Sequence, residues 1–145
     1  MSMDYWLISG VGIACYNIEP YVKKDKLFDF IRRELCKEDL ERLFPGIEYP
    51  SLSIEEIVSM SGYDNLADLL CHCDDTDSLT YGDDGEGNCY FYYPPSMPWE
   101  HTPTEPKSVE EVIDRIVNSI QQITDMTSEQ IESYIDTELH VVGMG

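Results

Sequence analysis

The sequence predicts one α+β domain over residues 1–145, built on a small antiparallel sheet covered by helices. Three observations favour this class: short runs of β-branched and aromatic residues, amphipathic segments with helical spacing, and alternation of the two along the chain. A length of 145 residues suits one domain. A hydrophobic content of 42% is enough for a buried core despite the high charge.

The N-terminal part predicts one strand and one helix. Residues 5–16 are rich in apolar and β-branched side chains, and Gly10 and Gly12 predict a bulge or a close backbone approach within this strand. Residues 24–44 repeat apolar side chains at helical spacing, which predicts a helix that ends before Pro45 and Gly46.

An inserted helical hairpin is predicted at about residues 53–71. Ser53 and Glu56 have the spacing of a capping box, and Asp64 is expected to cap a second short helix that runs to Cys71. The pair has the length of a helix-turn-helix, but a DNA-reading helix carries cations. Its second helix has Asp68 and no Lys or Arg, so we interpret it as a plain helical hairpin.

An acidic β-hairpin is predicted at about residues 78–94. Two strand-forming runs, residues 79–81 and 89–93, flank a turn rich in glycine and acidic residues, which is typical of hairpins. Pro94, Pro95 and Pro98 have no N–H to donate, so they end the second strand.

The C-terminal part predicts two helices and a final strand. Ser108 caps a long helix with apolar residues at a 3.6-residue period to Ile123, and Thr127 caps a shorter one. Residues 138–142 form the last strand, beyond which Gly143 and Gly145 are expected to fray. The resulting βαββαβ order is that of the ferredoxin-like fold.

Charge is the extreme feature of the chain, with 29 acidic against 9 basic residues and a net charge of −20. Residues 1–42 carry 8 acidic and 7 basic residues, whereas residues 43–145 carry 21 acidic and 2 basic. Phosphate binding requires cations that release counterions, so nucleic acid and anionic membranes are excluded as direct partners. The charge favours a basic partner protein.

Cysteine usage and the N-terminal stretch predict a cytoplasmic protein, in the host cytoplasm if a phage encodes it. Five cysteines are an odd number in a chain large enough for an ordinary core, which indicates free thiols in a reducing compartment. The apolar stretch at residues 5–15 is too short to span a bilayer.

No cofactor or catalytic motif is predicted. The acids between residues 74 and 86 do not have the spacing of a calcium loop, and Cys71 and Cys73 are too close in sequence for the usual zinc pair. An anionic setting is expected to raise thiol pKa values, which disfavours a cysteine nucleophile.

These observations predict a non-enzymatic protein-binding module. In composition and size, though in no motif, the chain resembles the small acidic inhibitors that phages and mobile elements encode, and is in that sense anti-CRISPR-like. The resemblance implies mimicry of nucleic acid that blocks a basic, nucleic-acid-binding host defence protein. The predicted partner-binding residues are Asp74, Asp75, Asp77, Asp83, Asp84, Glu86, Tyr90, Tyr92, Trp99, Glu110, Glu111 and Asp114.

The alternative is an α+β domain that binds a small ligand or a metal ion. Its pocket is expected around Tyr90, Tyr92 and Trp99, with His101 nearby. Tyrosine and tryptophan side chains combine a large apolar surface with a polar group, so they serve either function.

Overall fold

The computed structural model describes residues 5–34, 52–73, 76, 79–94 and 108–144. Its strands are β1 (Tyr5–Ala14), β2 (Thr80–Asp83), β3 (Cys89–Tyr93) and β4 (Asp136–Met144). Its α-helices are α1 (Lys24–Glu34), α2 (Ile54–Met60), α3 (Leu66–Leu70), α4 (Val109–Gln121) and α5 (Ser128–Glu132). Two short 3₁₀ turns, Cys15–Asn17 and Glu19–Tyr21, connect β1 to α1. The predicted α+β class is confirmed.

The strands form one four-stranded sheet in the order β2-β3-β1-β4, with every neighbouring pair antiparallel. The β1–β4 ladder is the longest and runs from Tyr5 opposite Met144 to Gly12 opposite Asp136. On its other side, β1 pairs with β3 from Val11 opposite Tyr93 to Ala14 opposite Tyr90. β1 is therefore the central strand to which both neighbours are anchored.

β1 is irregular at Gly10, as the glycines predict. The β1–β4 register shifts between Gly10 and Gly12, and Gly10 has φ +127°, a conformation that L side chains rarely adopt. A Cβ at this position would overlap the Tyr93 carbonyl oxygen on β3. Glycine is therefore required here both by the backbone conformation and by the close approach of the neighbouring strand.

The sheet curls so that its two outer strands approach each other. The Met144 backbone N–H donates to the Asp84 carbonyl oxygen at 3.2 Å, although β4 and β2 lie at opposite ends of the strand order. The indole N–H of Trp6 donates to the Asp83 carbonyl oxygen at 2.7 Å. The first residues of β1 and the last of β4 thus contact the turn that joins β2 to β3.

Each face of the curled sheet has its own core. The outer face packs against the helices in the main core, where Ile13, Phe91, Ile116 and Ile120 are fully buried. The inner face encloses a smaller cluster of Ile8, Ala14, Tyr90 and Leu139, with Tyr92 and Val141 packed against it. Alternation along β3 explains this division, since successive strand side chains point to opposite faces.

Side-chain caps position the helices as the sequence predicts, with one exception. Ser53 and Glu56 form a reciprocal capping box on α2, whereas Thr127 caps α5 through the Gln130 N–H. The N-cap of α3 is Asn65 and not the predicted Asp64. The Asp64 carboxylate instead accepts a hydrogen bond from the Tyr81 hydroxyl at 2.9 Å, which orients it towards β2.

The strands and helices differ from their predicted bounds in several places, most clearly at three of them. β4 covers Asp136–Met144, and Gly143 belongs to it, buried against the Trp6 ring, so it does not fray. β2 begins and ends slightly later than predicted, at Thr80–Asp83. The predicted helix over residues 24–44 begins at Lys24, and its residues 35–44 lie outside the described ranges.

Candidate functional site

The predicted acidic turn is only partly described. Asp74, Asp75, Asp77 and Trp99 lie outside the described residues. They stay predictions of partner contact, and His101, which also lies outside the described residues, stays a prediction for the alternative pocket. Of the same acidic group, the described members are Asp83, Asp84 and Glu86, all in or beside the turn between β2 and β3.

Asp84 organises this turn. Its Oδ1 accepts from the backbone N–H groups of Glu86 and Asn88, at 2.8 Å and 3.2 Å, and its Oδ2 accepts from the Asn88 side-chain amide at 2.9 Å. These hydrogen bonds, led by that from the Asn88 side chain, lower the pKa of Asp84. Asp84 is therefore held as a carboxylate whose hydrogen-bonding capacity is largely used within the turn.

Asp83 and Glu86 are the exposed acids of the turn. The Asp83 Oδ1 accepts from the Gly85 N–H at 2.9 Å, and the residue is exposed. Asp83 lines a cleft of about 410 Å³ between this turn and the helical hairpin of α2 and α3. The cleft joins the predicted acidic hairpin to residues 53–66, which the sequence did not connect with it.

The cleft is anionic. Its charged lining residues are Glu19, Glu55, Asp64 and Asp83, and no Lys, Arg or His is among the described residues that line it. Glu55 and Asp83 are exposed and Glu19 is half-buried. The carboxylate of Asp64 raises the pKa of Tyr81 to about 12 through their hydrogen bond, so Tyr81 stays a neutral donor. The carboxylates therefore line a cleft in which the described residues place no balancing cation.

The uncharged residues that line the cleft include both aliphatic and amide side chains. Ile54, Val58 and Leu66 give it an aliphatic side, and Asn65 and Asn88 add amide groups. α2 reaches the cleft because its capping box fixes its first turn, from which Ile54 and Glu55 project. An aliphatic surface beside carboxylates suits a side chain with an apolar stem and a positive end.

The described basic residues are concentrated elsewhere. In the part of the chain that the structure describes, Lys and Arg occur only at residues 23–33 and at Arg115. Lys26 reaches the α4–α5 connection, where its Nζ lies 2.6 Å from Asp125 and 2.9 Å from the Thr124 carbonyl oxygen. Arg115 lies 3.1 Å from Glu111. Lys26 and Arg115 therefore form ion pairs with acids that do not line the cleft.

The predicted acids of the long helix form a separate surface. Glu110 and Asp114 are exposed on α4, while Glu111 is partly engaged by Arg115. Ser108 accepts from the Glu111 N–H at 3.1 Å, which caps the helix. No described residue of α4 lines the cleft, so these acids are not brought together with Asp83.

The two described tyrosines of the predicted partner surface lie on the inner face of the sheet. Tyr90 is only 8% exposed and belongs to the smaller core with Ile8 and Leu139. Tyr92 is half-buried and packs against the same cluster. Burial raises the pKa of both phenols. Neither lines the cleft, so the structure assigns Tyr90 first to packing.

The cleft also contains two thiols that the sequence did not single out. Cys15 is 2% exposed, Cys89 is half-buried, and both line the cleft. Cys15 donates a hydrogen bond to the sulfur of Cys89. That bond, followed by burial, raises the pKa of Cys15. The same bond lowers the pKa of Cys89 against the effect of burial.

The expectation that the anionic setting raises thiol pKa values therefore fails at one site. Burial, together with the charge of Asp68, raises the pKa of Cys71 to about 12, as expected. At Cys89 local hydrogen bonding outweighs burial and charge, because the sulfur accepts from both Cys15 and the Ala67 backbone N–H. The pairing of β1 with β3 and the packing of α3 bring these groups together, and spacing in the sequence does not encode either contact.

Other site types find less support. No group of three or more His, Cys, Asp or Glu close enough to hold a metal ion occurs among the described residues. Within the same ranges, none of the helices is both long and apolar enough to cross a bilayer. His72 lies 3.5 Å from Asp68 and packs against Tyr63 with ring centroids 5.1 Å apart. No protein-family model, curated protein or solved structure matches this chain.

Proposed function

We propose that the chain is a non-enzymatic binding module whose anionic cleft takes a basic segment of a partner protein. One observation carries the proposal: every charged side chain that lines the cleft in the described structure is a carboxylate, namely Glu19, Glu55, Asp64 and Asp83. Such a focused negative potential attracts cations and accelerates their association.

The shape of the cleft supports an arginine or lysine side chain as the group that enters it. A volume of about 410 Å³ is sufficient for one or two long side chains. Their methylene stems would pack on Ile54, Val58 and Leu66, and their charged ends would reach the carboxylates. Arginine is favoured over lysine, because its planar guanidinium can bind a carboxylate and an amide oxygen together.

The test uses a defined probe. A labelled arginine-rich peptide and a glutamine-substituted version of it would be titrated with the protein, and binding followed by fluorescence anisotropy. We expect only the basic peptide to bind, with an affinity that falls steeply between about 20 mM and about 150 mM salt as the charges are screened. Binding that does not change over this salt range would overturn the electrostatic account.

A matched pair of variants separates the cleft from the general charge. Glu55→Gln with Asp83→Asn removes two cleft carboxylates, and Glu129→Gln with Glu132→Gln removes two exposed acids on α5. We expect the cleft pair to weaken peptide binding about tenfold or more, and the α5 pair to weaken it only about twofold. Equal losses would show that net charge, and not the cleft, binds the peptide.

A narrower proposal concerns the identity of the partner. We propose a cytoplasmic nucleic-acid-binding protein, with Asp83, Glu86, Glu110 and Asp114 in the positions of phosphates, as in the acidic inhibitors of phages and mobile elements. The high net charge and the exposure of these four acids support it. In a mobility-shift assay, the protein should displace duplex DNA from a basic DNA-binding domain without binding DNA itself. Failure to compete at saturating concentration would exclude mimicry and leave the peptide-binding result intact.

We also propose that the fold has the ferredoxin-like βαββαβ arrangement, with α2 and α3 as an inserted helical hairpin. The strand order β2-β3-β1-β4 and the antiparallel pairing of all neighbours support this assignment. Buried side chains of α1 and α4 share the main core with Ile13 and Phe91, which supports it further, and nuclear Overhauser contacts would test the shared face. Helices on opposite faces would contradict it.

A second candidate is a small organic cation bound in the same cleft. The aliphatic wall and the cleft volume favour it, because both lie within the range of ligand sites. Spermidine would then raise the melting temperature more than sodium chloride of equal ionic strength, and the Glu55→Gln with Asp83→Asn variant would lose the difference. Equal shifts from both salts would exclude a specific small-cation site.

A further inference from the structure

Cys15 and Cys89 lie opposite each other where β1 leaves the sheet. Ile13 pairs with Phe91 and Ala14 with Tyr90, the last pair of the ladder. Cys15, the first residue of the 3₁₀ turn that follows, interacts with Cys89, the first residue of β3. Cys15 belongs to the main core cluster and the partly buried Cys89 packs against it, so both lie on the same face of the sheet. Cα atoms directly opposite in antiparallel strands are about 4.5–5.5 Å apart, within the range that a disulfide spans.

The two thiols differ in access. Both cysteines line the cleft. Cys15 is only 2% exposed, whereas Cys89 is half-buried. The Cys89 sulfur also accepts hydrogen bonds from Cys15 and from the Ala67 N–H, which favour its thiolate form. A reagent in the cleft therefore meets the more exposed Cys89 first, with the buried Cys15 as its neighbour.

We propose that Cys89 and Cys15 form a two-thiol redox site that reacts with small, positively charged disulfides entering the anionic cleft. The Cys89 thiolate attacks one sulfur of the disulfide, so that a mixed disulfide forms and one small thiolate leaves. That thiolate takes up the proton that Cys15 loses, and the Cys15 sulfur then attacks Cys89. The internal disulfide forms, and the second small thiolate leaves and takes from solvent the proton that Cys89 had released. Two protein thiols have then been oxidised for one disulfide reduced.

The charge of the cleft determines which disulfide is accepted. Glu19 lies close enough to influence both thiols, and Asp83 lines the same cleft. Cystamine, which is a dication, should therefore react at least about tenfold faster at low salt than oxidised glutathione, which is an anion. The neutral hydroxyethyl disulfide should lie between them, and the differences should shrink at high salt.

The experiment uses the full chain with Cys36→Ser, because Cys36 lies outside the described residues. After brief exposure to cystamine, peptide mass mapping should find a disulfide between Cys15 and Cys89. Cys15→Ala, which keeps a small apolar group at the buried position, should retain one cysteamine on Cys89. Cys89→Ser should lose the fast reaction, and the matched control Cys71→Ser should behave as the parent.

The outcomes separate cleanly. A first adduct on Cys71 or Cys73, a different disulfide, or equal rates for cystamine and oxidised glutathione at low salt would overturn the proposal. Mapping of the parent needs no substitution at the site, so a variant that fails to fold does not remove the test. The reaction depends on the thiols and on the charge of the cleft, and its outcome is independent of whether a basic partner protein exists.

Discussion

At the scale of single residues, Gly10 determines the path of the central strand. Its positive φ and its contact with the Tyr93 carbonyl oxygen occur where β1 changes register against β4. Ile8, two residues before Gly10, packs on the inner face close to β2. A Cβ added at Gly82 of β2 would lie 3.3 Å from the Ile8 side chain. The curl of the sheet therefore depends on one position that only glycine fits.

We expect Gly10→Ala to destabilise the fold by about 3 kcal/mol or more, since backbone strain costs roughly 1–3 kcal/mol and overpacking a similar amount. Gly62→Ala is the matched control, because Gly62 has φ +92° but nothing within 4 Å of an added Cβ. It should cost about 1 kcal/mol. Urea unfolding measures both, and equal losses would show that contact with Tyr93 does not matter.

A second residue-scale prediction concerns Asp84, whose hydrogen bonds lower its pKa in the folded state. A lowered pKa contributes stability above the unfolded value, about 3.9, and the contribution is lost as the pH falls through the folded value. We expect Asp84→Asn to cost about 1 kcal/mol at pH 7, after allowance for exposure, and less as the pH falls below about 4.

Glu86→Gln is the control for Asp84, because it removes a neighbouring charge from the same turn without removing the acceptor of these hydrogen bonds. It should leave stability unchanged or raise it slightly. Urea midpoints measured from pH 3 to pH 7 test the pair. A loss at Asp84→Asn that stays constant over this range would contradict the role of its ionised form.

At the scale of elements, local rules explain most of what the sequence predicts correctly. Ser53, Ser108 and Thr127 cap helices because capping depends on residues within one turn of each other. The predictions for Asp64 and Gly143 were wrong because contacts with residues far away in the sequence determine their positions. Asp64 is drawn away from α3 by Tyr81, and Gly143 stays in β4 because Trp6 covers it.

The capping box of α2 should support the cleft as well as the helix. Ser53→Ala removes the acceptor for the Glu56 N–H at 3.1 Å, and should cost about 1 kcal/mol. Because α2 carries Glu55 and Val58, the same change should weaken binding of the arginine-rich peptide. Asn118→Ala, at an exposed site of α4 that does not line the cleft, should be neutral or slightly stabilising and leave peptide binding unchanged, which chemical denaturation and anisotropy would check.

At the scale of the whole molecule, charge and topology differ in how far the sequence predicts them. The net charge of −20 follows directly from the composition. The cleft cannot be predicted in the same way. It forms where the β2–β3 turn, the helical hairpin and the end of β1 meet, and these parts are far apart in sequence. Glu19, Glu55 and Cys89 could not be assigned to one site before that arrangement was known.

Mutual repulsion of the carboxylates should limit the stability of the fold. We expect the melting temperature to rise by several degrees between about 10 mM and about 150 mM sodium chloride, as the screening length falls from about 30 Å to about 8 Å. Choline chloride at the same ionic strength should give the same rise, measured by circular dichroism. A larger effect of sodium than of choline would indicate a specific cation site instead of screening.

The hydrogen bond from Trp6 to the Asp83 carbonyl oxygen has a practical consequence. The chain has two tryptophans, so Trp99→Phe leaves the Trp6 indole as the only tryptophan fluorophore. Since Asp83 also lines the cleft, an occupant there will alter the polarity and quenching around that indole. The emission wavelength of Trp6 then becomes an internal optical reporter of occupancy, readable without any attached dye.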